Sequence, residues 1–149
     1  MRIYKIIFFA LLLAFVNFIN AQTFTWTGSS NTNWTDESNW DDGDGFTVGD
    51  GYPDGSSDAA IITNVSNDPI INASGIICGA ITIQSSANLK SNNGSYDITA
   101  TSINLQSGGQ LSITNGTVNC GDFTHAGVLT LQGGTLDITS YTSSVSQTN

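Results

Sequence analysis

The sequence predicts an all-β chain, a parallel β-solenoid of about four to five rungs with an aromatic N-terminal cap. Three observations carry that expectation. Segments of like chemistry begin at Ile76, Ile98, Val118 and Leu136, spaced 22, 20 and 18 residues apart. Within each, apolar residues alternate with the period of a strand that buries one face. The residues between them are Gly, Asn, Ser and Thr, which weaken helices and favour turns. No stretch beyond the first twenty-one residues carries a helical period, so stacked short strands are the architecture that fits a repeat of this length.

The first element is a leader. In "MRIYKIIFFALLLAFVNFINA", Arg2 and Lys5 precede an apolar run from Ile6 to Val16 and a small residue, Ala21. This is the pattern of a cleaved signal peptide over residues 1–21, and the run is shorter than the ~20 residues of a spanning helix. The mature chain then begins at Gln22, without a membrane span, and is secreted or held at the cell surface. Removing the leader leaves Lys90 as the sole basic side chain against twelve acids. Such a surface has almost nothing with which to grip phosphate, which excludes nucleic acid as a partner.

Residues 22–57 read as a cap followed by an acidic, glycine-rich loop. "TFTWTGSSNTNWTDESNW" places Trp26, Trp34 and Trp40 within fifteen positions, ahead of the first rungs expected around Asp58–Asn64 and Pro69–Gly75. A solenoid end exposes its core and a row of unpaired backbone groups, so large rings here serve as a plug. The competing use of the three indoles is a carbohydrate site, which requires at least one exposed ring face. "DDGDGFTVGDGYPDGSSD" follows, and hard cations favour clustered oxygens. Asp41, Asp42, Asp44 and Asp50 are the candidate ligands and calcium the candidate ion. The EF-hand pattern fails, however, because Phe46 stands at the third ligand position.

Residues 58–149 supply the rungs. The inward columns are Ile76, Ile98, Val118, Leu136, then Cys78, Ala100, Cys120, Ile138, then Ile81, Ile103, Phe123, Tyr141, then Ile83, Leu105, His125, Ser143. The parity change between Cys78 and Ile81 marks a corner. A further arm brings in Leu89, then Leu111 and Ile113, then Leu129 and Leu131. The pairs Asn93 and Gly94, Asn115 and Gly116, and Gly133 and Gly134 are expected to turn the chain at positive φ. The final rung breaks off in "YTSSVSQTN" without a polar capping element, so the solenoid is read as truncated at its C-terminus, part of something longer.

The same frame sorts the chemistry-bearing residues. Cys78 and Cys120 occupy one inward column two rungs apart, about 9.6 Å at ~4.8 Å per rung, beyond the ~7 Å reach of a disulfide. They are expected as free, buried thiols. His125 is the only histidine, with no partner at metal-ligand spacing. Asp97, Asp122 and Asp137 fall in different columns, so no pair of carboxylates at glycosidase separation can be nominated, and the chain reads as a non-enzyme. A flat rank of threonine for binding ice would use Thr82, Asn104, Thr124 and Thr142, but the neighbouring column Ile77, Thr99, Asn119, Asp137 is too mixed to complete a lattice.

The repeat, with the W-x-G, W and N-W pattern of "TWTGSSNTNWTDESNW", resembles the right-handed, pectin-lyase-like β-helix of bacterial secreted adhesins and autotransporter passenger domains. The resemblance covers most of residues 23–143. It implies a non-enzymatic surface protein, or a fragment of one, that presents polar faces for adhesion or serves as a stalk, with glycans or cell-surface components as partners. The alternative is a small carbohydrate-binding module using the tryptophans, with an ice-binding solenoid or the remnant of a polysaccharide-active enzyme behind it. The residues name neither a ligand nor an oligomeric state, because solenoids host many functions.

Overall fold

A computed structural model describes residues 21–44 and 51–144. The leader expected over residues 1–21 lies outside the described residues except for Ala21, and so does Asp50. The elements are β1 (Thr23–Trp26), a 3-10 turn (Glu37–Asn39), β2 (Trp40–Asp41), β3 (Ala59–Ile62), β4 (Ile76–Ile83), β5 (Asn88–Leu105), β6 (Gln110–His125), β7 (Val128–Leu131) and β8 (Thr135–Ser143). They form one sheet in the order β2-β1-β3-β4-β5-β6-β7, with β8 also paired to β6. Every pairing is parallel except β1 with β2. This is a β-solenoid of about four turns. No helix among the described residues is long and apolar enough to cross a membrane.

The columns read from the sequence are the ladder registers. Ile76 pairs with Ile98, Ile98 with Val118 and Val118 with Leu136; Ile81 pairs with Ile103, Ile103 with Phe123 and Phe123 with Tyr141. Alternation fixes this register, since a slip of one residue would turn every isoleucine to solvent. Ile81, Ile83, Ile98, Ile103, Leu105, Leu111, Ile113 and Phe123 are all buried, each contributing about 1.5–3 kcal/mol relative to exposure. The corner after Cys78 is made by Gly79, where a Cβ would stand 2.6 Å from the Asp58 carbonyl oxygen of the rung below.

The unequal spacing has a local cause. Between β5 and β6 the register shifts, with Asn92 opposite Asn115 but Asp97 opposite Thr117. The extra residues of the longer unit form an exposed irregularity of β5 over 93–95, unpaired with β6, and the columns on either side are preserved. This stretch also corrects one expected corner. Gly116 and Gly133 do adopt positive φ, at 83° and 119°, whereas Gly94 does not. The Asn93 side chain accepts a hydrogen bond from the Ser95 N–H at 3.0 Å, a side-chain turn that needs no left-handed residue at this bend.

The stack also starts one strand earlier than the sequence suggested. β1 runs parallel to β3 with Phe24 opposite Ala60 and Trp26 opposite Ile62, so Trp26 extends the column of Ile62, Ile83 and Leu105. "TFTW" alternates just as "ITI" does, and that alternation was the available signal. At the far end the last strands are less well covered: Leu129, Leu136 and Ile138 are half-buried, while Leu131 and Tyr141 are exposed.

Candidate functional site

The three tryptophans form one closed cluster. Trp40 packs edge-on against Trp34 (4.7 Å between ring centres), Trp26 (5.0 Å) and Phe24 (6.4 Å), the geometry that sets a ring's positive edge on its neighbour's negative face. Exposure is 0% for Trp26, 0% for Trp34 and 1% for Trp40. Each indole N–H donates to a backbone carbonyl: Trp26 to Asn67 at 2.7 Å, Trp34 to Pro53 at 3.3 Å and Trp40 to Trp34 at 2.6 Å. No ring face is left for a sugar to stack on, and the cluster closes the N-terminal end of the core.

Asn39 holds the segment around these rings, a role that its place in the N-W pattern of the sequence did not disclose. It is fully buried, yet its Oδ1 accepts from Ser30 N (2.9 Å) and Asn31 N (3.0 Å), and its Nδ2 donates to Asn31 Oδ1 (3.1 Å) and Asn33 O (3.0 Å). A buried amide so fully bonded costs little to desolvate and fixes the loop that carries Trp34. Nearby, Asp36 caps the 3-10 turn through Ser38 N. Its carboxyl is held below the ordinary range first by the Asn31 amide and then by the Ser38 N–H.

The acidic loop is organised by its own backbone. Asp41 Oδ1 accepts from Gly43 N at 2.8 Å, Asp42 Oδ1 accepts from Asp44 N at 3.0 Å, and Asp42 Oδ2 accepts from the Gln22 amide. Of the four candidate ligands, Asp41, Asp42 and Asp44 are described and Asp50 is not. Among the described residues, no group of three or more acids, cysteines or histidines converges as a metal site.

Cys78 and Cys120 are free and buried, separated in register by Ala100. Burial, with the Asp58 carboxylate adding to it, pushes the Cys78 thiol up to about 12; burial likewise raises Cys120 to about 11, helped by Asp122. The thiolate is the reactive form, so at neutral pH the folded protein should resist iodoacetamide while the unfolded chain takes up two labels. Both thiols keep their protons to higher pH when folded than the 9.0 of a free thiol. Their contribution to stability is therefore complete below pH 9.0 and is lost as pH rises through 11 and 12. Guanidinium titrations at pH 8, 10 and 11.5 should show a progressively earlier midpoint, and Cys78→Ala should flatten that slope.

The outward faces are polar and aligned. Thr82, Asn104, Thr124 and Thr142 stand opposite one another on successive strands, as do Ile77, Thr99, Asn119 and Asp137. Beside the second column lies a shallow groove of about 200 Å³ lined by Thr99, Ala100, Asn119, Cys120, Gly121, Asp137 and Thr139. Gly121 is part of its lining, and a Cβ there would stand 2.4 Å from the Thr101 carbonyl oxygen of the neighbouring rung. Lys90 is paired with Asp68 at 2.7 Å. His125 lies at the other end, its Nε2 donating to the Gly127 carbonyl at 3.1 Å and its Nδ1 bonded to the Tyr141 hydroxyl at 2.9 Å.

A family model matches residues 25–148, a span that takes in all three tryptophans and all four inward columns. The chain belongs to the family described as Domain of unknown function (DUF8693). The DUF8693 match spans both the aromatic cluster and the last rung. No curated protein and no solved structure matches the chain.

Proposed function

We propose that the protein is an exported, non-enzymatic surface protein of the adhesin-like, right-handed β-helix kind, acting by presentation of its polar solenoid faces. The single observation that carries this reading is the register of the outward columns. Thr82, Asn104, Thr124 and Thr142 repeat hydroxyl and amide groups at the rung spacing of about 4.8 Å. Groups held at such a pitch on a rigid backbone make many weak contacts at once, and a second contact made within one surface gains from effective concentration rather than new chemistry. The groove beside Asn119 and Asp137 adds a carboxylate, an amide and two hydroxyls, a donor and acceptor set that suits sugar hydroxyls. Asp97, Asp122 and Asp137 stand in separate columns, which favours presentation over acid–base hydrolysis.

The test is retention of the purified chain on immobilised polysaccharides and on intact cells. Retention should fall at least about tenfold in the Asn104→Lys, Thr124→Lys double variant, with thermal unfolding unchanged because both side chains are exposed. The loss corresponds to about 1.4 kcal/mol. Equal retention of the variant on every surface would rule out this face. A carbohydrate module built on Trp26, Trp34 or Trp40 would instead shift indole fluorescence on adding polysaccharide; the burial of all three rings argues that the emission stays fixed.

A further inference from the structure

Two Asn-Gly pairs stand in the chain, Asn93-Gly94 before Ser95 and Asn115-Gly116 before Thr117. This dipeptide carries a chemistry of its own, because glycine places no side chain beside its nitrogen and that nitrogen can reach the preceding side-chain amide. From sequence the two pairs are equivalent, and the structure separates them. Asn115 is paired with Asn92, and its carbonyl accepts from Ser91 Oγ at 2.9 Å. Gly116 is buried at a φ of 83°, its N–H donates to Asn115 Oδ1 at 3.0 Å, and the Asn93 and Tyr96 carbonyl oxygens close on it. Asn93 and Gly94 are exposed, and residues 93–96 have no partner in β6, since the ladder passes from Asn92 with Asn115 to Asp97 with Thr117. Asn93 Oδ1 accepts from the Ser95 N–H at 3.0 Å, and the ring closed by that bond contains the Gly94 nitrogen.

We propose that Asn93 is a site of spontaneous deamidation, converting to aspartate and isoaspartate in the folded protein while Asn115 stays intact. Once solvent hydroxide has taken the Gly94 amide proton, the Gly94 nitrogen attacks Asn93 Cγ. The new N–Cγ bond closes a five-membered succinimide, the Cγ–Nδ2 bond breaks, and the side-chain nitrogen leaves as ammonia with a proton from solvent. Water then opens the ring: attack at Cγ gives aspartate, and attack at the backbone carbonyl gives isoaspartate, with the main chain routed through Cγ. Water is the only reactant consumed, and nothing is oxidised or reduced. The Ser95 N–H assists, because a donor on Oδ1 stabilises the negative charge that grows there as the nitrogen adds. Ring closure also requires rotation about the Asn93 Cα–C bond, which an exposed stretch without ladder bonds permits. At Asn115 the same rotation would break the pairing with Asn92 and drive Gly116 against the Asn93 and Tyr96 oxygens. The unpaired stretch also accommodates the product, since an added backbone atom and charge fall outside the columns, where Ile98 and Ala100 keep their own pairs.

Timed incubation of the purified, folded chain in heavy-oxygen water at mildly alkaline pH tests this, with peptide mapping that resolves asparagine, aspartate and isoaspartate at each position. Asn93 should convert at least about tenfold faster than Asn115, with the heavy oxygen in both products. In the same chain unfolded in guanidinium the two sites should react at similar rates, because their local sequences match. Gly94→Ala should slow conversion at Asn93 severalfold and leave Asn115 unchanged; the added Cβ meets only the end of the exposed Asn115 side chain, which can move aside. The ratio of folded to unfolded rates in the unmodified protein decides the matter even if that variant is unstable. Protein converted at Asn93 should unfold at the temperature of the parent. An Asn93 that persists in the folded chain while the unfolded chain converts, or an Asn115 that reacts as fast as Asn93 when folded, would each overturn the proposal.

Discussion

Replacing Trp40 with alanine should lower the free energy of unfolding by about 3–5 kcal/mol, the range for deleting a large buried ring. Trp40 is the centre of the aromatic cluster, touching Phe24, Trp26 and Trp34 edge-on, and its N–H satisfies the Trp34 carbonyl, which the substitution would leave buried without that donor. The cavity lies where the solenoid is closed, so water would reach the first rung and the cap would loosen as a unit. In a domain of this size the loss corresponds to a fall in melting temperature of roughly 10–20 °C. Trp40→Phe retains most of the apolar contact and forfeits the hydrogen bond, and should recover about half. Thermal and denaturant unfolding measure both. A Trp40→Ala protein as stable as the parent would mean that the ring cluster does not seal the end of the stack.

Gly116→Ala should cost nearly as much, for a different reason. Gly116 is buried with φ at 83°, and a Cβ there would stand 2.6 Å from Asn93 O, 2.7 Å from Ser91 Oγ and 2.8 Å from Tyr96 O. Two of these are backbone oxygens of the neighbouring rung, which cannot rotate away. The left-handed conformation costs a non-glycine residue about 1–2 kcal/mol, and forcing atoms into a packed layer a further ~1–3 kcal/mol. Gly75 isolates the first contribution: its φ is 71°, it is exposed, and a Cβ there would meet nothing within 4 Å. Gly75→Ala should therefore cost only the backbone part. Equal losses in the two variants would show that rung-to-rung approach at Gly116 is not limiting.

These two sites differ in how visible they are from sequence. Gly116 follows Asn115 at a position where the apolar period breaks, so its corner could be read from local chemistry, and its positive φ agrees with that reading. Gly94 offered the same local signal and fails, because the Asn93 side chain bonds Ser95 N–H within an irregular stretch of β5 and no left-handed residue is needed. Trp26 was legible as a buried ring but not as a member of the stack, since its partner Ile62 lies thirty-six residues away. Asn39 was visible only as the asparagine of the N-W pattern and its structural role was not: an asparagine in a polar, acidic stretch looks like a surface residue until the loop over 30–33 is folded around it.

The sequence alone determined the fold class, the inward and outward columns, their register and the separation of Cys78 from Cys120. These follow from alternation and repeat length, which act between near neighbours or between identical positions of consecutive rungs. Only the tertiary structure decided which apolar residues are covered. Ile113 and Leu131, or Phe123 and Tyr141, occupy equivalent places in the pattern, yet one of each pair is sealed and the other open. Burial depends on whether a further layer lies above a residue, and a layer's presence is a property of the stack, not of the residue or its neighbours in sequence. The same holds for the groove at Gly121 and for the closing of Trp26, Trp34 and Trp40 over one another, which require distant segments to converge.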